Sequence, residues 1–291
     1  MPKVAILYIA LGRYIIFWRD FYESCERYLG PCEKHYFVWT DNDQFDYCDN
    51  PNVTVIPAQR RGWPYDTLLR FHMFLEREKE LKKFDYIYFF NANMQFIAPV
   101  DLAEITPREW HDGLVAGSHP GRWGDTRDGE IDSYPYERRP ESTAYIPFGM
   151  GRHYVCGAFN GGTADAYLKM CRTLATNVQT DLDHNIVACV DDESHLNAYM
   201  MGKKYLLCGR AYGFPEGKLK QIPSIGMPMV KIISRHKNSP KYGGIAWLRG
   251  KTDRKMPNTW FTRRIMYPLA RIVAIFLPTS KMRQKVRSYY G

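Results

Sequence analysis

Asp192 and Glu193 stand side by side in the string Val190-Asp191-Asp192-Glu193-Ser194-His195-Leu196-Asn197. Adjacent carboxylates at the start of a helix can supply a nucleophile or steady a developing positive charge. A helix dipole also favours such a pair in its first turn, with no chemistry implied. Upstream, Asn91-Ala92-Asn93 closes an apolar run. Two carboxylates at such a spacing would hold a hard divalent cation. Asparagines offer only neutral carbonyl oxygens and amide donors, so affinity for Mg²⁺ or Mn²⁺ falls steeply. Lys231, Arg235 and Lys237 form a basic cluster further on, suited to a phosphate-bearing ligand or to a solvated surface.

The elements that must position these groups follow from periodicity. Residues 3–10, 35–40, 53–56 and 85–90 are short apolar runs ended by Gly12, Asp41-Asn42-Asp43, Pro57 and Asn91-Ala92-Asn93, and they predict strands. Residues 14–29 and 65–81 carry helical spacing between them, the first stopped by Gly30-Pro31. This rhythm predicts an α/β layered domain with a mostly parallel sheet, in which ligands bind beyond the carboxyl ends of strands. A second half begins near Leu114, with a long loop over 118–150 and a helix over about 163–181.

Composition narrows the class. With 291 residues, 45% apolar and 24% charged, the chain is an ordinary globular sequence with ample length for a core. Its seven cysteines are an odd number with no C-x-x-C pair, which argues against a disulfide framework or a zinc ribbon and fits a reducing cytoplasm. No secretory signal is expected from the N-terminal pattern. Residues 246–291 hold eleven Lys and Arg against one acid, Asp253, whereas residues 1–245 hold 29 basic and 30 acidic side chains. The body is neutral and the tail basic, so the overall charge of +9 does not mark a nucleic-acid enzyme.

Several segments in order resemble glycosyltransferase family 6, the family of the histo-blood-group transferases. They are Phe37-Val38-Trp39-Thr40-Asp41, Arg61-Gly62-Trp63, residues 84–96, Tyr136-Glu137-Arg138-Arg139-Pro140, Ala144-Tyr145-Ile146-Pro147, Gly157-Ala158-Phe159-Asn160-Gly161-Gly162 and Asp192-Glu193-Ser194-His195-Leu196-Asn197. The resemblance spans about residues 3–240. It implies a GT-A fold over residues 1–245, with a nucleotide side over about 1–113 and an acceptor side over about 114–245. It also implies retaining transfer of galactose or N-acetylgalactosamine from a UDP-sugar to the 3-position of a galactoside. Most eukaryotic members have Asp-x-Asp at the Asn91-Ala92-Asn93 position. Bacterial members resemble this chain there, which implies that no metal cofactor is needed.

Residue by residue, the resemblance makes Glu193 the catalytic carboxylate, as a covalent nucleophile or as support for a front-face displacement. Asp192 is expected on donor-sugar hydroxyls. Arg70 matches an arginine that bridges this region and the donor sugar; here it would face Asn91 in place of a carboxylate, its charge less compensated and available to the donor. Ile9, Ala10, Leu11 and Tyr14 are expected at uridine. Lys237 contacts the pyrophosphate, with Arg235 and Lys231 near enough to help. Cys156, Gly157 and Ala158 lie against C2 of the donor sugar and bear on the choice between N-acetylgalactosamine and galactose. His119 is expected on the acceptor, while Val190 replaces a tryptophan that packs there. The Tyr136–Pro140 motif reads as a structural ion network.

A non-catalytic nucleotide-sugar or glycan-binding protein on the same fold is the rival reading, against which Glu193 stands. In the basic tail, 265–277 is too short and too charged to span a bilayer. Its mix of apolar and basic residues suits an interfacial segment on an anionic membrane. The expected partners are therefore a UDP-sugar, an oligosaccharide or lipid-linked glycan and an anionic membrane surface, at the cytoplasmic face. Nucleic acid is not among them, because the tail's aromatics do not interleave with its charges.

Overall fold

A computed structural model describes residues 1–120, 131–221, 229–239 and 241–252, together with Leu269 and Ile272. The expected interfacial segment at 265–277 therefore lies, those two residues apart, outside the described residues. The strands are β1 (Lys3–Ala10), β2 (Leu29–Gly30), β3 (Glu33–Thr40), β4 (Val53–Pro57), β5 (Tyr86–Phe90), β6 (Met94–Phe96), β7 (Val100–Asp101), β8 (Leu114–Ser118), β9 (Val155–Thr163), β10 (Tyr205–Cys208), β11 (Tyr212–Pro215) and β12 (Ile232–Ser234). The helices are α1 (Trp18–Tyr28), α2 (Tyr65–Leu68), α3 (Arg70–Leu75), α4 (Glu78–Leu81), α5 (Ala164–Asp183), α6 (Asp191–Met200) and α7 (Ile245–Leu248).

Seven strands form one sheet in the order β10-β8-β9-β5-β1-β3-β4, so both halves of the chain pair into a single sheet. All neighbours run parallel except β9, which is antiparallel to β5 and β8. Alternation along β1 divides the core. Val4, Ile6 and Tyr8 join Trp18, Phe21 and Cys25 of α1 on one face. Ala5 and Leu7 join Phe71 and Phe74 of α3 and Tyr167, Leu168 and Cys171 of α5 on the other. A sheet covered on both faces is what continuous apolar runs such as residues 4–8 require.

The helix expected over 65–81 is three short helices. The chain tightens at Leu69 (ψ 9°) and Arg77 (ψ 19°), and bonds such as His72 N–H to the Leu69 carbonyl (3.1 Å) replace the regular ladder. The reason is tertiary: the break turns Arg70 inward with Phe71 and Phe74, so a guanidinium sits only 3% exposed. Tyr14 likewise precedes α1 in a 3₁₀ turn over Gly12–Phe17.

The Tyr136–Pro140 motif is an ion network. Glu137, 2% exposed, accepts from Arg139 Nε (2.8 Å) and from the Cys189 N–H (2.8 Å), while Arg138 bonds the Ile146 carbonyl (2.7 Å). The basic stretch after Ala246 begins against the body. Leu248 packs on Phe17 and Tyr242, and Arg13 donates to the carbonyls of Trp247 (3.0 Å) and Thr252 (2.7 Å).

Gly161 has no room for a side chain where β9 pairs with β5. A Cβ there would lie 2.2 Å from Tyr88 Cδ1 and 2.6 Å from the Ile87 carbonyl oxygen. Gly161→Ala is expected to lower unfolding free energy by about 2–3 kcal/mol, measured by urea titration. An unchanged midpoint would contradict this packing.

Candidate active site

The site sits where the parallel strands end. Because β9 runs antiparallel, its first residues lie at the same edge as the carboxyl ends of β1, β5 and β8. The β8–β9 register jumps from Ala116↔Asn160 to Gly117↔Cys156, so Gly157, Ala158 and Phe159 leave the β8 ladder. Such a bulge bends the strand and re-aims its backbone. The Ala158 carbonyl turns to the Asn91 N–H (2.8 Å), and the Gly157 N–H turns to Glu193 Oε2 (2.6 Å).

A cleft of about 650 Å³ opens there, lined by Ile9, Leu11, Tyr14, Arg70, Asn91, His119, Cys156, Gly157, Ala158, Val190, Asp192, Glu193 and Lys237. Strand ends, bulge and the N-terminus of α6 thus bring most of the sequence candidates together. Gly157 is tightly flanked: a Cβ would stand 3.0 Å from Asp192 Oδ2 and 3.3 Å from Glu193 Oε2, so the carboxylates would have to give by a few tenths of an ångström.

Arg70 ties these parts together. Its Nη1 donates to the Gly157 carbonyl (2.8 Å), and its Nη2 lies 2.8 Å from Asp192 Oδ2. The guanidinium also stacks over Phe71 and Phe89, 4.9 and 4.6 Å from their ring centres. This corrects the expectation that Arg70 would be less compensated for want of a carboxylate partner. A buried guanidinium needs a counter-charge, and Asp192 supplies it. Burial pushes the Asp192 carboxyl up to about 6 against the pull of Arg70. Burial also raises Glu193, opposed by the Gly157 N–H.

The basic cluster is divided. Lys237 reaches the cleft, its Nζ 5.3 Å from the centre of the Tyr14 ring. Arg235 and Lys231 do not line it. Arg235 is bound to Glu216 and lies 3.8 Å from Asp20, and Lys231 is held by both carboxylate oxygens of Glu104. Their expected help at a pyrophosphate is corrected on that ground: each charge is already paired away from the cleft. Asn93 is also outside the lining. Its amide donates to the Arg235 carbonyl (2.9 Å) and its carbonyl accepts the Arg235 N–H (2.7 Å), fastening the segment that carries Lys237. Ala10 is buried in β1, its carbonyl taken by the Thr40 hydroxyl (2.8 Å).

The cleft also contains Trp63, Asp66, Thr67, Asp191 and Arg249, none of which the sequence singled out as site residues. Asp66 Oδ1 accepts from the N–H groups of Arg61 (2.6 Å) and Gly62 (2.9 Å), which sets the loop bearing Trp63. Arg249 stacks over Trp63 at 4.6 Å. Asp191 was legible as a third acid in the run; Arg249 had no local signal within the basic tail.

Asp191 has φ 44° and a buried Oδ1 without a hydrogen-bond partner. Burial, then the neighbouring Asp192, raises its carboxyl to about 7 despite Arg249. An unfolded aspartate ionises near 4, so the folded chain holds the proton longer. The resulting stability is present below about pH 4 and lost as pH rises through about 7. Asn tolerates positive φ, so Asp191→Asn should fold. It should stabilise the chain at pH 8 by on the order of a few kcal/mol, with little effect at pH 4. Urea unfolding at both pH values checks this; an equal effect at the two would contradict it.

Comparison with known proteins agrees with this architecture. Residues 3–239 match the family model of glycosyltransferase family 6. The chain is 32% identical over 244 residues to the O-antigen biosynthesis glycosyltransferase WbnI of Escherichia coli, covering 83% of this chain and 97% of that one. It is 26% identical over 213 residues to the histo-blood group ABO system transferase 2 of Rattus norvegicus, covering 69% of this chain and 60% of the relative. It is also 26% identical over 209 residues to the human globoside alpha-1,3-N-acetylgalactosaminyltransferase 1, covering 69% of this chain and 57% of that one. With a family model spanning most of its length and a bacterial relative matched nearly end to end, the chain belongs to glycosyltransferase family 6.

Proposed function

We propose that this family 6 glycosyltransferase moves N-acetylgalactosamine from UDP-N-acetylgalactosamine in α1,3 linkage, with retention, onto a fucosylated galactoside, and does so without a divalent cation. One observation carries the reading: Arg70 holds Asp192 and the Gly157 carbonyl while the Gly157 N–H holds Glu193, all in one cleft. That places two carboxylates with different partners at one site. Asp192, charge-paired, is the group for donor-sugar hydroxyls. Glu193, which accepts the Gly157 N–H and faces the Tyr154 hydroxyl and Cys156 thiol, is the group for positive charge developing at the anomeric carbon.

The diphosphate side follows from Lys237 and Tyr14. A tyrosine face suits a uracil ring, and the adjacent ammonium suits the leaving phosphate. The residues at the usual metal position do not fit a hard cation. Asn91 Oδ1 accepts its neighbour's N–H (Ala92, 3.0 Å), and the Asn93 amide is engaged with Arg235. Neither brings a negative charge. Donor choice rests on Cys156, Gly157 and Ala158, whose small side chains leave room for an acetamido group. UDP-galactose is the alternative donor, since Ala158 narrows that side relative to glycine. A lipid-linked acceptor at the inner membrane face is part of the proposal through the basic composition of residues 246–291 alone. Among the described residues no helix is long and apolar enough to cross a membrane.

The test is UDP release from each donor with a fucosylated galactoside, in EDTA. Activity should persist in EDTA and gain little from Mn²⁺; loss on chelation with recovery by Mn²⁺ would overturn the metal-free reading. Glu193→Gln should bind UDP-sugar within a few-fold of the parent and lose at least ~100-fold in kcat, a barrier rise of about 2.7 kcal/mol. Near-normal turnover would move the catalytic role elsewhere.

A further inference from the structure

His119, Cys156 and Glu193 each present one ligand atom in the cleft, and the three atoms lie within 4.8 Å of one another. They come from three separate elements. His119 follows β8 and is fixed by its N–H to the Tyr154 carbonyl (3.0 Å) and by the edge of the Tyr154 ring, 5.6 Å away. Cys156 sits on β9 opposite Gly117, and Glu193 lies in the first turn of α6. We propose that these three side chains form a binding site for a soft divalent cation, zinc above all, and that zinc bound there blocks the cleft. The blocking rests on the assignment of Glu193 as the catalytic carboxylate; the binding does not.

The chemistry of the set selects the metal. An imidazole nitrogen, a thiolate sulfur and a carboxylate oxygen are ligands zinc accepts together, leaving a fourth position for water. Tetrahedral bonds of roughly 2.0–2.3 Å place ligand atoms about 3.3–3.8 Å apart. The three atoms therefore need to draw together by about 1 Å, within reach of side-chain rotation. Mg²⁺ and Mn²⁺ prefer oxygen ligands and gain little from sulfur. This site is thus distinct in metal preference from the diphosphate position, where the asparagines bring no charge. Coordination needs the thiolate, so binding releases the thiol proton and tightens as pH rises. Once on the metal, Glu193 is withdrawn from the sugar and Cys156 from its C2 side. Zinc inhibition should be competitive with the donor.

The experiment uses the full chain and metal alone. Titration with Co²⁺ should produce a thiolate-to-cobalt charge-transfer band that Zn²⁺ displaces at one equivalent. Cys156→Ser should abolish the band and weaken Zn²⁺ at least about tenfold. His119→Gln should weaken Zn²⁺ comparably, with folding of both variants checked by circular dichroism. Cys189→Ser, which removes an exposed cysteine outside the site, should change neither. No band, or a band lost in Cys189→Ser and kept in Cys156→Ser, would overturn the site. If zinc binds at the trio and transfer continues unimpaired, the blocking claim fails, and Glu193 loses its catalytic assignment while the metal site stands. If zinc inhibits the parent and not Cys156→Ser, both readings hold.

Discussion

A guanidinium only 3% exposed is the constraint on which the site depends. Arg70 has to find partners where it is buried, and it finds a backbone carbonyl on β9 and a carboxylate on α6. Those two contacts join elements that the sheet alone would not join. The bulge that frees the Gly157 carbonyl for Arg70 also turns the Gly157 N–H to Glu193, and Asn160, whose Oδ1 accepts the Tyr167 hydroxyl, donates from Nδ2 to the same carbonyl (3.2 Å). One buried cation thus links both acids to the bulge, and at Gly157 they come close to the strand.

The charge balance of the cleft follows. Three successive acids open α6, each raised by burial, and Asp191 and Asp192 raised further by their neighbours. Arg70 answers one of them directly. Arg249 comes from far along the chain and lowers Asp191, and Lys237 lines the same cleft beside Tyr14. The cleft thus holds Arg70, Arg249 and Lys237 together with the three carboxylates that open α6. Under the proposed function, cations would meet an anionic leaving group and carboxylates a carbon that gains positive charge.

Much of this was legible in the sequence, and what was not has a common cause. The strands of the first half showed as apolar runs closed by turn residues. Their order in the sheet then put Asn91, His119 and the start of β9 at one edge. Local pattern could not show that Leu69 and Arg77 interrupt a helical repeat, because the interruption serves the burial of Arg70. Nor could it show which of three nearby cations reaches the cleft. Lys231 and Arg235 are claimed by Glu104, Glu216 and Asp20, which are remote in sequence. Asn93, read as a ligand-facing residue, is a staple for the segment that bears Lys237. Long-range pairing decided each case, and a single sequence carries pairing only weakly.

The central claim is that Glu193 and Asp192, set by Arg70, support glycosyl transfer with retention. The anomeric configuration of the product, read from the coupling of its anomeric proton by NMR after incubation of the full chain with an α-linked UDP-sugar and a galactoside, tests this most directly. The account predicts an α-linked product carrying the small coupling of that anomer. A β-linked product, with its large coupling, would contradict it.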